Sequence, residues 1–537
     1  MTQDHPQGTG PSIRSAVKQG HGLTGVAALN AASSLGARLT AVIVGIVLTP
    51  FVLHRLGREL FGISATAGAL LEYLWLLRGG LGGAMRRYVT VSYHAGDRGL
   101  AERYYAAGFW WTAVLRTAVV GAGMASAHGL CLFMRVPTNL LMDATGGLLL
   151  FFISAGLNDT GGILEMPIYV TGHTASASIV RMSGALLKIA LVIPAFLIFV
   201  PSLTLYWVAI CVAELVVSIT VGIVSTRLRV VSSVFPRPEF GSPALRKTLF
   251  QFASLGLISQ AAGILYLATD NLLIGRVYGP AQVTEYSLGT RWAPMISGFL
   301  AAGISALAPL LTQMDARGEV NRTRRVVLRA AAFSSALGVP ICLVPCVVGD
   351  VFLVRWVGPE YRRSALYMIA MLVPMLISVT LEPVWMALVA RGRIGWIALS
   401  DIIVAVANPV LSLVLALHFH LGLLGFALGN TAALLAKNLL LRPLLNRSEA
   451  ALPSLPAMLL TLPVALAGGA PALLLLYFLK PLYSHSLAAI VGAGIAGAVL
   501  CLAGSMLTAV GWQDTHKLAV SLAGRLRSTD SQGPTAA

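Results

Sequence analysis

A chain of 537 residues that is 57% hydrophobic and only 11% charged, with a mean hydropathy of +0.80, carries more apolar surface than a soluble fold of that length can bury. Soluble enzymes and nucleic-acid-binding modules are excluded, and the net charge of +17 must be read as membrane topology, with anionic lipid headgroups as its partner surface. The five cysteines, Cys131, Cys211, Cys342, Cys346 and Cys501, have no metal-ligand spacing.

Residues 1–24 are polar, rich in Gly, Pro, Ser and Gln, and lack a cleavable-signal pattern, so they read as a disordered cytoplasmic extension. A hydrocarbon core about 30 Å thick needs about 20 apolar residues per helix. Reading at that length gives about fourteen spans: 28–53, 61–83, 104–127, 146–166, 183–201, 203–224, 249–276, 284–311, 326–348, 364–389, 396–418, 421–441, 456–478 and 486–510. Between the sixth and seventh, 231–248 holds Pro236, Pro238 and Pro243 and reads as a cytoplasmic linker, lying as a short helix on the membrane face. Residues 511–537 form a polar cytoplasmic tail.

The layout repeats. A shift of 222 residues lays Gly57 on Gly279 and Gly96 on Gly318, and in both copies an apolar helix, a tight turn, a second apolar helix and a basic loop follow in that order. The expected fold is therefore all-α and polytopic, with two pseudo-symmetric six-helix lobes, 25–230 and 249–445, and two C-terminal helices in 456–510. With the amino terminus inside, 24 Lys and Arg fall in cytoplasmic loops against 8 outside and 6 within spans, which places both termini in the cytoplasm. No loop is much longer than about 25 residues, too short to carry a folded extracytoplasmic active site, so no catalytic residues are expected.

The run Thr269-Asp270-Asn271-Leu272-Leu273-Ile274-Gly275, followed by Tyr286-Ser287-Leu288, resembles the second-lobe opening of polysaccharide biosynthesis flippases. These form the Wzx-like branch of the multidrug/oligosaccharidyl-lipid/polysaccharide exporter superfamily. Leu48-Thr49-Pro50, Leu56-Gly57, Phe61-Gly62 and Arg86-Arg87-Tyr88 are similar to the family's amino-terminal pattern, and the likeness covers 25–445. The resemblance implies alternating access around a central cavity and transport of an undecaprenyl-diphosphate-linked oligosaccharide across the inner membrane. Its implied partners are the lipid-linked glycan and membrane lipids, with a monomer working beside a glycan polymerase or glycosyltransferases.

Charges at membrane depth mark the candidate site. A cation at the bilayer centre costs about 2.5–3.5 kcal/mol on insertion scales, so such residues face a bundle interior or water. Arg38 and Arg116 lie too deep to snorkel and are expected to line the cavity. Arg78, Arg291 and Lys437 are further cavity candidates, and Lys188 is the sixth basic residue within a span. A guanidinium offers forked donors that match phosphate oxygens. Pairing with Glu72, Asp159, Glu165, Asp270, Glu382 or Asp401 would instead make these cations structural ties. Asp270, with Asn271 and Glu72, is the candidate coupling site for a proton or sodium ion, and Asp270 could also pair with Arg291. His418 and His420 are poor metal ligands; neither a metal site nor a cofactor is expected. Two other readings use the same fold: a cation-coupled small-molecule exporter of the multidrug and toxic compound extrusion type, and a peptidoglycan-precursor flippase.

Overall fold

The computed structural model describes residues 13–76, 80–304, 307–445 and 452–530, and every regular element among them is helical. The helices are α1 (Ile13–Trp75), α2 (Leu81–His94), α3 (Arg98–Phe133), α4 (Leu141–Leu164), α5 (Met166–Val170), α6 (Thr174–Ile198), α7 (Leu203–Arg227) and α8 (Pro243–Val277). They continue with α9 (Pro280–Thr290), α10 (Trp292–Ile304), α11 (Ala308–Ala316), α12 (Val320–Trp356), α13 (Ser364–Ala390), α14 (Ile394–Leu413), α15 (Leu423–Leu435) and α16 (Arg442–Leu445). The last are α17 (Leu455–Leu459), α18 (Thr461–Phe478), α19 (Lys480–Tyr483) and α20 (Leu487–Asp530).

Ten described helices are long and apolar enough to cross a membrane. One of them, Leu29–Trp75, covers most of two expected spans, 28–53 and 61–83, because α1 turns at Gly57 (φ 80°, ψ 168°). The expected spans 104–127, 249–276 and 284–311, whose described residues are mostly helical, fall outside the ten. The last is not one helix. Pro294 removes the N–H that would reach the Thr290 carbonyl, and the chain breaks there between α9 and α10. The helices also extend further than expected, from Ile13 within the stretch read as disordered and to Asp530 within the polar tail.

Two compact units divide the chain: Met1–Leu60 with Leu74–Leu257, and Phe61–Tyr73 with Ile258–Ala537. In the N-terminal unit, α4 and α7 run side by side in a fixed register. Cys211, Ser218 and Ser225 donate to the carbonyls of Leu150, Leu157 and Leu164, 61 residues earlier each time, at 3.3, 2.8 and 2.5 Å. The seven-residue spacing of these links is that of helices crossing at a shallow angle. At the head of the pair, the Asp143 carboxylate accepts from the amides of Leu203 and Thr204 at 2.7 and 3.0 Å, satisfying the exposed donors of the α7 amino terminus.

The segment between α7 and α8 is not helical; it is an irregular strap from 228 to 242. Three aromatic donors fix it to α3. The Tyr105 hydroxyl reaches the Val234 carbonyl at 2.8 Å, the Trp110 indole reaches Pro236 and Arg237, and the Trp111 indole reaches Phe240. Prolines leave this stretch without a helical ladder, so its carbonyls remain available to side chains.

In the C-terminal unit, the core gathers Ala336, Val339, Leu372, Leu376 and Val379 from α12 and α13 with Ala465 of α18 and Cys501 of α20. The Ser335 hydroxyl at the centre of this contact bonds Thr380 at 2.9 Å and Thr461 at 2.8 Å. The 61-residue register returns here too, with the Thr431 hydroxyl on the Ala370 carbonyl at 2.5 Å.

The repeated glycines adopt matching backbones. Gly57 and Gly279 have φ 80° and 93°, and Gly96 and Gly318 have φ 85° and 66°, a region that favours residues without a Cβ. The two Gly-acid turns also share a bond pattern: Gly96 to Tyr93 and Asp97 to Ser92 in one, Gly318 to Asp315 and Glu319 to Met314 in the other.

Candidate functional site

The N-terminal unit holds a cavity of about 400 Å³ between α1, α4, α6 and α7. Its charged lining is Arg38 from α1, Arg181 and Lys188 from α6, and Glu214 from α7. Arg181 and Lys188 are seven residues apart and so share one face of α6, with the small Gly184 and Ala185 between them leaving room in the cavity. Glu214 is buried, with 7% of its side chain exposed. Its two oxygens face different partners: Lys188 Nζ at 2.6 Å and the Asn158 amide at 3.1 Å. Arg181 turns to Glu165 at 3.3 Å. Two of the three cations thus face carboxylates, and the lining keeps a surplus of positive charge.

Arg38 thus lines a cavity within the N-terminal unit. Arg116 does not line this one; it is half-buried on α3. Arg78 lies outside the described residues. Arg181 and Glu214 were missed: one was assigned to a cytoplasmic loop, and the other was left out of the candidate acids. The seven-residue spacing from Lys188 to Arg181 was the available signal.

The C-terminal unit brings Asp270, Asn271 and Arg291 to one cavity of about 150 Å³, with Tyr286, Thr290 and Asn430. Asp270 is 1% exposed. Its Oδ2 accepts from the Tyr286 hydroxyl and from the Asn430 amide, each at 2.5 Å. Behind Asn430, the Asn408 amide donates to the Asn430 carbonyl oxygen at 2.9 Å, which fixes the orientation of the Asn430 side chain. Oδ1 of Asp270 is also buried and has no hydrogen-bond partner among the described residues. Glu72 is exposed at the end of α1 and does not line this cavity; its neighbour Tyr73 bonds Thr269.

Lys437 is part of a different cluster. Its Nζ lies 3.4 Å from Asp401, which also takes Arg442 at 3.0 Å, and the Arg442 guanidinium covers the Trp385 ring at 4.8 Å. His418 and His420 are exposed, and among the described residues no three His, Cys, Asp or Glu side chains group as a metal site.

The profile of the polysaccharide biosynthesis protein family matches residues 177–366, a stretch that holds Arg181, Lys188, Glu214, Asp270 and Arg291. The chain is 24% identical over 425 residues to the uncharacterized membrane protein EpsK of Bacillus subtilis, covering 78% of this chain and 82% of EpsK. It is 23% identical over 340 residues to the probable flippase AglR of Haloferax volcanii, covering 62% and 66% of the two chains. Among solved structures, the inward-facing form of a multidrug resistance MATE family transporter of the MOP superfamily aligns with a TM-score of 0.62 at 13% identity, over 76% of this chain and 94% of that one. The inward closed form of the lipid II flippase MurJ aligns at 0.58 and 12% identity, over 91% and 99%. At these identities the likeness shows a shared fold and nothing beyond it.

Proposed function

We propose that this protein is an alternating-access flippase that moves an undecaprenyl-diphosphate-linked oligosaccharide across the inner membrane for cell-surface polysaccharide biosynthesis. The observation that carries the reading is the basic cavity: Arg38, Arg181 and Lys188 against the single lining carboxylate Glu214, inside a unit built of apolar helices. A diphosphate crossing hydrocarbon needs fixed cations, and a guanidinium stays charged throughout. The name of the Haloferax relative, a probable flippase, points the same way. The reading places both termini in the cytoplasm and makes the protein a transporter rather than an enzyme. In it, Asp270 is the coupling residue for a proton or sodium ion: a buried carboxylate held on one oxygen by Tyr286 and Asn430 keeps its other oxygen for an incoming cation.

A cation-coupled exporter of small molecules shares the fold. The surplus of basic side chains in the cavity counts against it, because a cationic drug would be repelled. The deciding experiment follows flipping of the lipid-linked glycan in membranes alongside protein abundance. Arg38→Ala is expected to lower flipping at least about tenfold with normal abundance, and Arg38→Lys to restore part of it, since lysine keeps the charge and loses the fork. Normal flipping in Arg38→Ala would remove Arg38 from the site.

A further inference from the structure

The C-terminal unit has a second cavity, of about 820 Å³, where the turn after α12, the start of α13 and the end of α18 come together. Its size is that of small-molecule sites, about 300–1,000 Å³. Six acidic or basic side chains line it: Glu285, Asp350, Glu360, Arg362, Arg363 and Lys480. None of them belongs to the sites described above.

Part of this lining is held in place. Lys480 lies 2.5 Å from Asp350, and the Tyr367 hydroxyl donates to Glu285 Oε1 at 3.0 Å while the Ser364 hydroxyl fixes the Glu285 backbone carbonyl at 2.6 Å. The rest is available. Arg362, Arg363 and Glu360 are exposed, and among the described residues neither arginine has an ion-pair partner. At the rim, Tyr477 is 57% exposed, with Lys480 Nζ 6.0 Å from its ring centroid.

The three carboxylates balance the three cations, so the cavity has no net field to draw in an anion. What it offers is a mixture of strong donors and strong acceptors at short range beside an open aromatic ring. A hydroxyl both donates and accepts, and the C–H edges of a sugar ring lie well on the negative face of an aromatic ring. We propose that this cavity is a saccharide-binding subsite that holds the glycan of the cargo at the extracytoplasmic end of the C-terminal unit. The proposal rests on the flippase reading for the identity of the cargo and on the expected topology for the side of the membrane.

The test uses the full-length protein in its native membranes, with p-benzoyl-phenylalanine placed at Tyr477 and, as a control, at Leu507, which is 77% exposed on α20. After irradiation, the expected adduct at Tyr477 shows sugar mass increments and reacts with hydrazide after periodate oxidation, whereas Leu507 captures phospholipid. Phospholipid alone at Tyr477, or no adduct there, overturns the subsite. Arg362→Gln combined with Arg363→Gln should lower the sugar adduct about tenfold at unchanged abundance, the loss expected when charged hydrogen-bond donors are removed; an unchanged yield would overturn the role given to this rim. If the sugar adduct persists in a protein that flips nothing, the flippase reading fails and the subsite stands. If flipping proceeds without the adduct, the subsite fails and the flippase reading stands.

Discussion

The carboxylate of Asp270 and the side-chain amide of Asn430 meet at 2.5 Å across 160 residues of sequence, joining α8 to α15 inside the C-terminal unit. The amide can only donate there, because its own oxygen is taken by Asn408. Asp270→Asn keeps the shape and removes the charge, so abundance should stay near normal while ion-driven transport falls at least about tenfold. Asn430→Ala should act on stability instead, by about 1–3 kcal/mol, because a buried carboxylate loses a donor. Thermal unfolding in detergent together with transport under an imposed ion gradient separates the two; ion-driven transport unchanged in Asp270→Asn would end the coupling role.

Gly62 has no room for a side chain. A Cβ there would stand 1.8 Å from the Pro280 carbonyl oxygen and 2.9 Å from Thr284 Oγ1. Gly62→Ala is expected to destabilise the protein by about 1–3 kcal/mol, the usual range for overpacking. Gly68, six residues on in the same helix, has nothing within 4 Å of its would-be Cβ, and Gly68→Ala should be neutral or stabilising by up to about 1 kcal/mol. A lower unfolding temperature for Gly68→Ala than for Gly62→Ala would contradict the contact.

Asp401 serves two cations, so removing it should harm more than removing either one. Asp401→Asn leaves Lys437 and Arg442 facing each other, and membrane abundance should fall. Adding Lys437→Met to Asp401→Asn should recover part of the loss, because the second change removes one of the two cations that shared the Asp401 carboxylate. Abundance measured across the four members of this cycle gives the coupling directly; strict additivity would mean that Lys437 is not tied to Asp401.

The charge asymmetry of the loops makes a topological prediction. A reporter fused after Arg447, or after the last residue, should read as cytoplasmic, and a cysteine placed at the exposed His485 should react with a membrane-impermeant thiol reagent from outside. An external signal from both fusions would overturn the assignment of sides.

The helical class could be read from hydropathy alone, and the turns at Gly57 and Gly279 from the offset between them. Out-of-place charges such as Arg38 and Asp270 could be seen because each violates the cost of burial in hydrocarbon. Their partners could not. Glu214, Asn158, Asn408 and Asn430 become meaningful only once α4, α7, α14 and α15 are packed, and polar residues so far apart give no local signal of meeting. The break at Arg291 was signalled by Pro294, which acts on the backbone hydrogen bond four residues before it, although a length count alone treats 284–311 as one apolar stretch.

The strap between α7 and α8 constrains how this chain can vary. Its carbonyls at Val234 and Phe240 are taken by Tyr105 and Trp111, those at Pro236 and Arg237 share Trp110, and Gly241 turns with φ 73° directly before Ser242, whose hydroxyl accepts from the Leu245 amide at the start of α8. A flexible tether absorbs an added or lost residue at little cost. Here one residue more or less would slide every later carbonyl off its donor, so the stretch from 234 to 242 should vary among descendants of this sequence by exchange of side chains and scarcely at all in length.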